Sequence, residues 1–155
     1  MERSEALRLI AEAAVASERA KGCPAELTTA QALLESGWLA RALGNNCFGI
    51  KRAKRHAQWQ TFKTWEVEDG KRIEKYLQFA KYDSLADCFA DHARLITTGA
   101  PYADAWAYYE EHGNLDELIR GVARKYATDP EYGRKIATLA VRDDVRAALI
   151  EARKA

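Results

Sequence analysis

Ala30-Gln31-Ala32-Leu33-Leu34-Glu35-Ser36-Gly37-Trp38 is the stretch from which the rest of this chain is read. Glu35 is a lone carboxylate in a helical run of otherwise apolar, small and neutral side chains, with a large aromatic three positions on. Leu27, Ala30, Gln31, Leu34 and Trp38 fall on one side at helical spacing. Glu35 sits on the flank of that stripe, one turn beyond Gln31, at the rim of a buried face. Desolvation there disfavours the charged form and raises the pKa. A carboxyl group still protonated near neutral pH can hand its proton to a leaving oxygen, as cleavage of a glycosidic bond requires.

The 155 residues suffice for one domain with a real core and not for two comfortable ones. Hydrophobic residues make up 48% and charged residues 30%, an ordinary globular balance that argues against disorder. A net charge of +1 gives no global field toward nucleic acid, so no nucleic-acid partner is expected. Lys51, Arg52, Lys54, Arg55 and His56 form a local basic patch, read first as a solvated loop and second as a contact to an anionic polymer. Cys23, Cys47 and Cys88 are odd in number and lack CxxC spacing, so reduced, partly buried thiols are expected and metal binding is not. Nothing implies a cofactor. No stretch reaches the length of a membrane span, and Leu7 to Glu12 carries charges that make it a poor signal peptide.

Outward from the Glu35 block, periodicity predicts a first helix over residues 5–20 that ends at Gly22, and a second from Pro24 to about Trp38. Gly44-Asn45-Asn46 marks a turn. Strand-forming residues on both sides of Asp69-Gly70 predict a hairpin, a small β lobe over about 59–82. Ser84 can cap a helix bearing Leu85, Cys88, Phe89, His92 and Leu95; Pro101 opens another. Leu115 to Tyr126, a short helix begun by Asp129-Pro130 and a charged C-terminal helix from about Asp143 complete the chain. The expected class is α+β, mostly helical, with a substrate groove between the helical body and the hairpin.

Six blocks occur in order: the Glu35 stretch, Asn46-Cys47-Phe48-Gly49-Ile50-Lys51, Thr64-Trp65-Glu66, Phe79-Ala80-Lys81-Tyr82-Asp83-Ser84, Asp91-His92, and Tyr126-Ala127-Thr128-Asp129-Pro130-Glu131-Tyr132. Together they resemble the bacterial peptidoglycan β-N-acetylglucosaminidases of glycoside hydrolase family 73, which include flagellar rod-associated wall hydrolases, autolysins and phage lysins. The resemblance implies a lysozyme-like fold and hydrolysis of the β-1,4 bond on the reducing side of N-acetylglucosamine in wall glycan. It also implies action at the bacterial cell wall by a monomer. With a poor leader, something else must carry or release the chain, which suits a phage lysin; an excised domain of a longer autolysin would look the same.

Residue by residue, the resemblance gives Glu35 as general acid and Glu66 as second carboxylate. Strand alternation puts Glu66 and Glu68 on one side, so periodicity alone leaves both open. Glu66 would activate water or stabilise the oxocarbenium-like cation, unless the substrate's own 2-acetamido group takes that part. Tyr126 matches the family's active-site aromatic; a core tyrosine with a bonded hydroxyl is the competing reading. Gln31, Trp38, Asn46, Phe48 and Gly49 are the candidate substrate contacts. Of these, Trp38 also suits packing behind Glu35, Asn46 a turn, and Gly49 close approach of backbone to sugar. Asp129 is read as a helix cap, and His92 beside Asp91 as a surface or buried-pair residue. Two departures from the family pattern stand out: Leu39 where glycine is common, and Cys47 where leucine is common. Other readings are an N-acetylmuramidase or lytic transglycosylase on the same polymer, or a silent wall-binding module.

Overall fold

The computed structural model describes residues 1–155. Seven helices enclose one of their number: α1 (Arg3–Lys21), α2 (Ala25–Ser36), α3 (Leu85–Thr98), α4 (Ala103–His112), α5 (Leu115–Tyr126), α6 (Tyr132–Ala140) and α7 (Asp143–Lys154). The central one is α2. Ala25, Thr28, Thr29, Ala30 and Ala32 are small enough to let α1, α3, α6 and α7 close on it from several sides. Nine of its twelve residues are buried, so the single apolar stripe predicted for it is an underestimate. Leu33, Ala32 and Ala25 join a core shared with α1, α3 and α7. Leu27 and Ala30 join a second core built with α3, α5 and α6.

The predicted helices are present with small shifts at their ends. Leu7, Ile10, Ala11 and Ala14 form the buried stripe of α1, and Gly22, at φ +84°, ends it by donating its N–H to the Glu18 carbonyl at 2.8 Å. Ser84 caps α3, its Oγ accepting from the Asp87 N–H at 3.1 Å, and Asn114 does the same for α5 from Glu117 at 3.1 Å. The second helix stops at Ser36 rather than Trp38. Gly37, Trp38 and Leu39 all take left-handed backbone, at φ +57°, +58° and +69°. That places a leucine where glycine is the unstrained residue.

β1 (Trp59–Glu68) and β2 (Lys71–Ala80) pair antiparallel through a two-residue Asp69-Gly70 turn with positive φ at both positions, the geometry an Asp-Gly pair favours. The register pairs Gln60 with Phe79, Phe62 with Leu77 and Glu66 with Ile73, so these residues share the half-buried face. The hairpin is tied to the body at its base. Ala80 donates to the Ile50 carbonyl at 3.0 Å, Arg52 to Gln78 at 3.0 Å, and Tyr82 to Gly44 at 2.9 Å.

Candidate active site

Glu35 occupies the last turn of α2, and the left-handed turn that follows shapes its surroundings. The Ser36 hydroxyl donates to the Ala32 carbonyl at 2.6 Å and accepts from the Leu39 N–H at 2.9 Å, which holds that turn against the helix end. The chain then doubles back, and the Arg41 N–H bonds the Ser36 carbonyl at 2.8 Å. The Arg41 guanidinium lies over Gly37 so closely that a Cβ there would stand 2.5 Å from Nη1. Glycine at position 37 therefore permits both the backbone turn and the return of Arg41 beside Glu35.

A cleft of about 150 Å³ opens above this point. Glu35, Arg41, Asn46 and Gly49 line it from the body; Gln60, Phe62 and Phe79 line it from the hairpin. Gly49, at φ +65°, brings bare backbone to the acid, with its virtual Cβ 3.8 Å from Glu35 Oε2. Burial raises the Glu35 pKa above its ordinary value of 4.5, against the downward pull of the Tyr132 hydroxyl and the Arg41 charge. Its place at a helix C-terminus, where the backbone dipole opposes negative charge, works in the same upward direction. The site thus pairs a half-buried acid of raised pKa with one cation and a wall of aromatic and amide groups.

Of the other residues named from sequence, Gly49 and Asn46 reach the cleft, and Asn46 does so with its polar atoms already committed. Its Nδ2 donates to Ile50 O at 3.0 Å and Ala80 O at 2.9 Å, while Oδ1 accepts from the Phe48 and Ile50 N–H groups at 3.3 and 3.2 Å. Asn46 is the knot that binds the 46–50 loop to the base of the hairpin, at the edge of the cleft. Phe48 is a core residue: it stacks on His92 at 4.0 Å between ring centroids and meets Phe89 edge-on at 4.9 Å. Gln31 is fully buried and bonded to His92 and Tyr132, so it too is withdrawn from the list of sugar contacts. Trp38 sits between Arg3 and Arg142, 4.9 and 5.2 Å from ring to guanidinium carbon, packed against the core that α1 and α7 share. Tyr126 donates its hydroxyl to the Phe48 carbonyl at 2.7 Å and stacks on Tyr132.

Glu66 lies on the cleft-facing side of β1, four residues beyond Phe62 and hence roughly 13 Å further out along the strand. Its Oε2 meets the Lys75 ammonium at 3.2 Å, and Glu68 pairs with the same ammonium. The two glutamates share one face and one cation, as strand alternation predicts. Asp129 caps the approach to α6, accepting the Glu131 N–H at 2.9 Å and pairing with Lys135 at 2.7 Å. In the basic patch, Arg55 and His56 are fixed on Asp91 at 3.0 and 2.8 Å, and the Arg52 guanidinium covers Trp59 at 3.4 Å. All three cysteines are free and fully buried, and burial pushes the Cys23 thiol up to about 11.

Two residues around Glu35, Arg41 and Tyr132, went unassigned in the sequence, and His92 was read only as a surface or buried-pair residue. Arg41 reaches the site only through a left-handed turn with two non-glycine residues, which no local propensity announces. Tyr132 and His92 carried a signal. Both stand in the blocks quoted above, and Gln31, one helical turn before Glu35, is the residue that joins them.

A helical body, a two-stranded hairpin and one raised acid in the cleft between them define a lysozyme-like α+β domain. The chain belongs to the glucosaminidase family: the family described as mannosyl-glycoprotein endo-beta-N-acetylglucosaminidase matches residues 11–144, and the likeness to glycoside hydrolase family 73 holds. Exo-glucosaminidase LytG of Bacillus subtilis is 36% identical over 125 residues, which is 77% of this chain and 44% of that protein. A probable N-acetylmuramidase of Lactococcus lactis subsp. cremoris is 34% identical over 123 residues, 74% of this chain and 28% of that protein. The catalytic domain of the autolysin Auto from Listeria monocytogenes superposes with a TM-score of 0.78 at 27% identity, covering 94% of this chain and 86% of that domain. The chain spans less than half the length of the curated relatives it matches. No helix is long and apolar enough to cross a membrane.

Proposed function

We propose that this chain hydrolyses bacterial peptidoglycan at the β-1,4 bond on the reducing side of N-acetylglucosamine, with Glu35 as general acid. The observation that carries this reading is the Glu35 carboxyl itself: half-buried, raised in pKa, and lining the cleft between body and hairpin. Such a group protonates the glycosidic oxygen as the bond opens through an oxocarbenium-like state. Gly49 lets the sugar approach without a side chain in the way, and Arg41 stabilises the carboxylate once the proton has left. Tyr126 works by positioning, since its hydroxyl holds the Phe48 carbonyl and with it the loop that carries Gly49.

Glu66 is the second carboxylate in this scheme, delivered when the hairpin swings about its base and Lys75 releases it. A final carboxylate separation of about 6.5–9.5 Å would give inversion and about 5–5.5 Å retention. If the substrate's acetamido group is the nucleophile, Glu66 is dispensable. The chain acts at the cell wall as a monomer, with residues 1–155 as one catalytic unit.

The family names on both sides of the linkage favour one alternative, N-acetylmuramidase activity, because relatives of each kind share the fold at similar identity. Mass spectrometry of muropeptides released from purified walls separates the two. The proposal expects N-acetylglucosamine reducing ends. N-acetylmuramic acid ends would transfer the assignment to the muramidase, and 1,6-anhydro ends to a transglycosylase.

A further inference from the structure

Behind Glu35 runs a buried hydrogen-bond chain that the reaction scheme above does not use. His92 is fully buried on α3, stacked flat on Phe48 with an interplanar angle of 20°. Its Nε2 lies 2.8 Å from Gln31 Oε1, and Gln31 Nε2 donates in turn to the Tyr132 hydroxyl oxygen at 3.1 Å. Tyr132 is itself more than nine-tenths buried, and Gln31, which its hydroxyl accepts from, stands one helical turn before Glu35, so the hydroxyl is near enough to pull the carboxyl pKa down. His92 Nδ1 has no partner.

The direction of this chain is set at the histidine. Burial depresses the imidazole to about 3, so it is neutral and carries one ring proton. With that proton on Nε2, the ring donates to Gln31 Oε1, and the amide nitrogen of Gln31 must then point at Tyr132. A hydroxyl that accepts from Gln31 keeps its own proton free for Glu35. With the proton on Nδ1, a buried N–H would be stranded, the Gln31 amide would turn over, and Tyr132 would give its proton to Gln31 instead. A stranded buried N–H is the rarer and costlier of the two defects. The orphan at Nδ1 is therefore a lone pair, and the chain points toward the acid.

We infer that Tyr132 is a positioning residue for Glu35, its hydroxyl aimed as a donor by Gln31 and His92 so that the carboxylate left after proton transfer is held in one orientation. The inference rests on the reading of Glu35 as the acid. The other groups facing that carboxyl are Arg41 from the turn after α2 and Tyr126 from α5, while the hairpin contributes only Gln60, Phe62 and Phe79, none of which titrates there.

The test is a carboxyl-carbon NMR titration of Glu35, its resonance identified by its loss in Glu35→Gln, combined with the pH profile of wall lysis. Tyr132→Phe keeps the ring stacked on Tyr126 and removes the hydroxyl, both the donor toward Glu35 and the acceptor of the Gln31 amide. It should move the Glu35 midpoint and the alkaline limb of kcat/KM upward together by half a pH unit or more. The rate at the optimum should fall about tenfold, with KM within twofold. His92→Phe, which keeps the stack on Phe48, should give the same upward shift, and His92→Gln, which restores a donor near Nε2, should reverse it. An unmoved Glu35 midpoint in Tyr132→Phe overturns the inference. A midpoint that moves while the rate profile stays put, with Glu35→Gln still lysing walls, overturns the acid reading instead.

Discussion

Glu35 is costly where it stands. A carboxyl whose pKa is raised on folding binds its proton more tightly in the native state, so at neutral pH its ionisation favours the unfolded chain. That penalty is full above the folded pKa and disappears as the pH falls below the unfolded value near 4.5. Glu35→Gln should therefore melt higher than the parent at pH 7, and the gain should vanish near pH 4. Paired calorimetric scans check this, and a variant that melts lower at pH 7 would contradict the desolvation account. Of the residues around the acid, Glu35 and Gly49 were legible because each is anomalous in its own segment: a charge in an apolar run, and a glycine between Phe48 and Ile50. Phe48 and Gln31 lie in the interior rather than at the groove, for a shared reason. Helical or turn spacing shows that a side chain faces inward, and it does not distinguish the inside of a core from the floor of a groove.

Among the elements, the hairpin bears the open mechanistic question. Its existence and turn were readable from Asp69-Gly70 between two strand-forming runs, and alternation correctly put Glu66 and Glu68 on one face. The distance of Glu66 from the cleft was not readable, since it depends on where the base of the hairpin is pinned. Four bonds from Asn46, together with the Ala80–Ile50 ladder, pin it. Turnover of Glu66→Gln and Glu68→Gln decides between the two glutamates. If Glu66 is the working carboxylate, its variant should lose about a hundredfold or more and Glu68→Gln less than about threefold. Equal and small losses would favour the acetamido route. Both pair with Lys75 at the surface, where solvent screens the attraction, so melting temperatures should barely change.

Across the whole molecule, stability and chemistry meet at α2. This helix joins both cores, and Gln31 on it couples to His92 on α3 and Tyr132 on α6. His92 is neutral when folded and takes up a proton once unfolded. Its contribution is thus complete above about pH 6.5 and is lost as the pH falls toward about 3. Denaturant midpoints should drop between pH 7 and pH 4 in the parent and drop less in His92→Phe; equal slopes would contradict a buried neutral imidazole. The α+β class was legible from the switch of hydrophobic period at Thr61 and its return after Ser84. The packing of α2 on all sides was hidden, because Thr28 and Gln31 read as polar until their buried partners, the Pro24 carbonyl for one and His92 and Tyr132 for the other, are known.

The most direct measurement is the release of reducing ends from purified walls by the parent and by Glu35→Gln, each shown to be folded by its melt. The account predicts N-acetylglucosamine ends from the parent and a loss of at least about a thousandfold in the variant, within the range that a positioned acid can supply. A folded Glu35→Gln protein that frees ends at the parent's rate would contradict it.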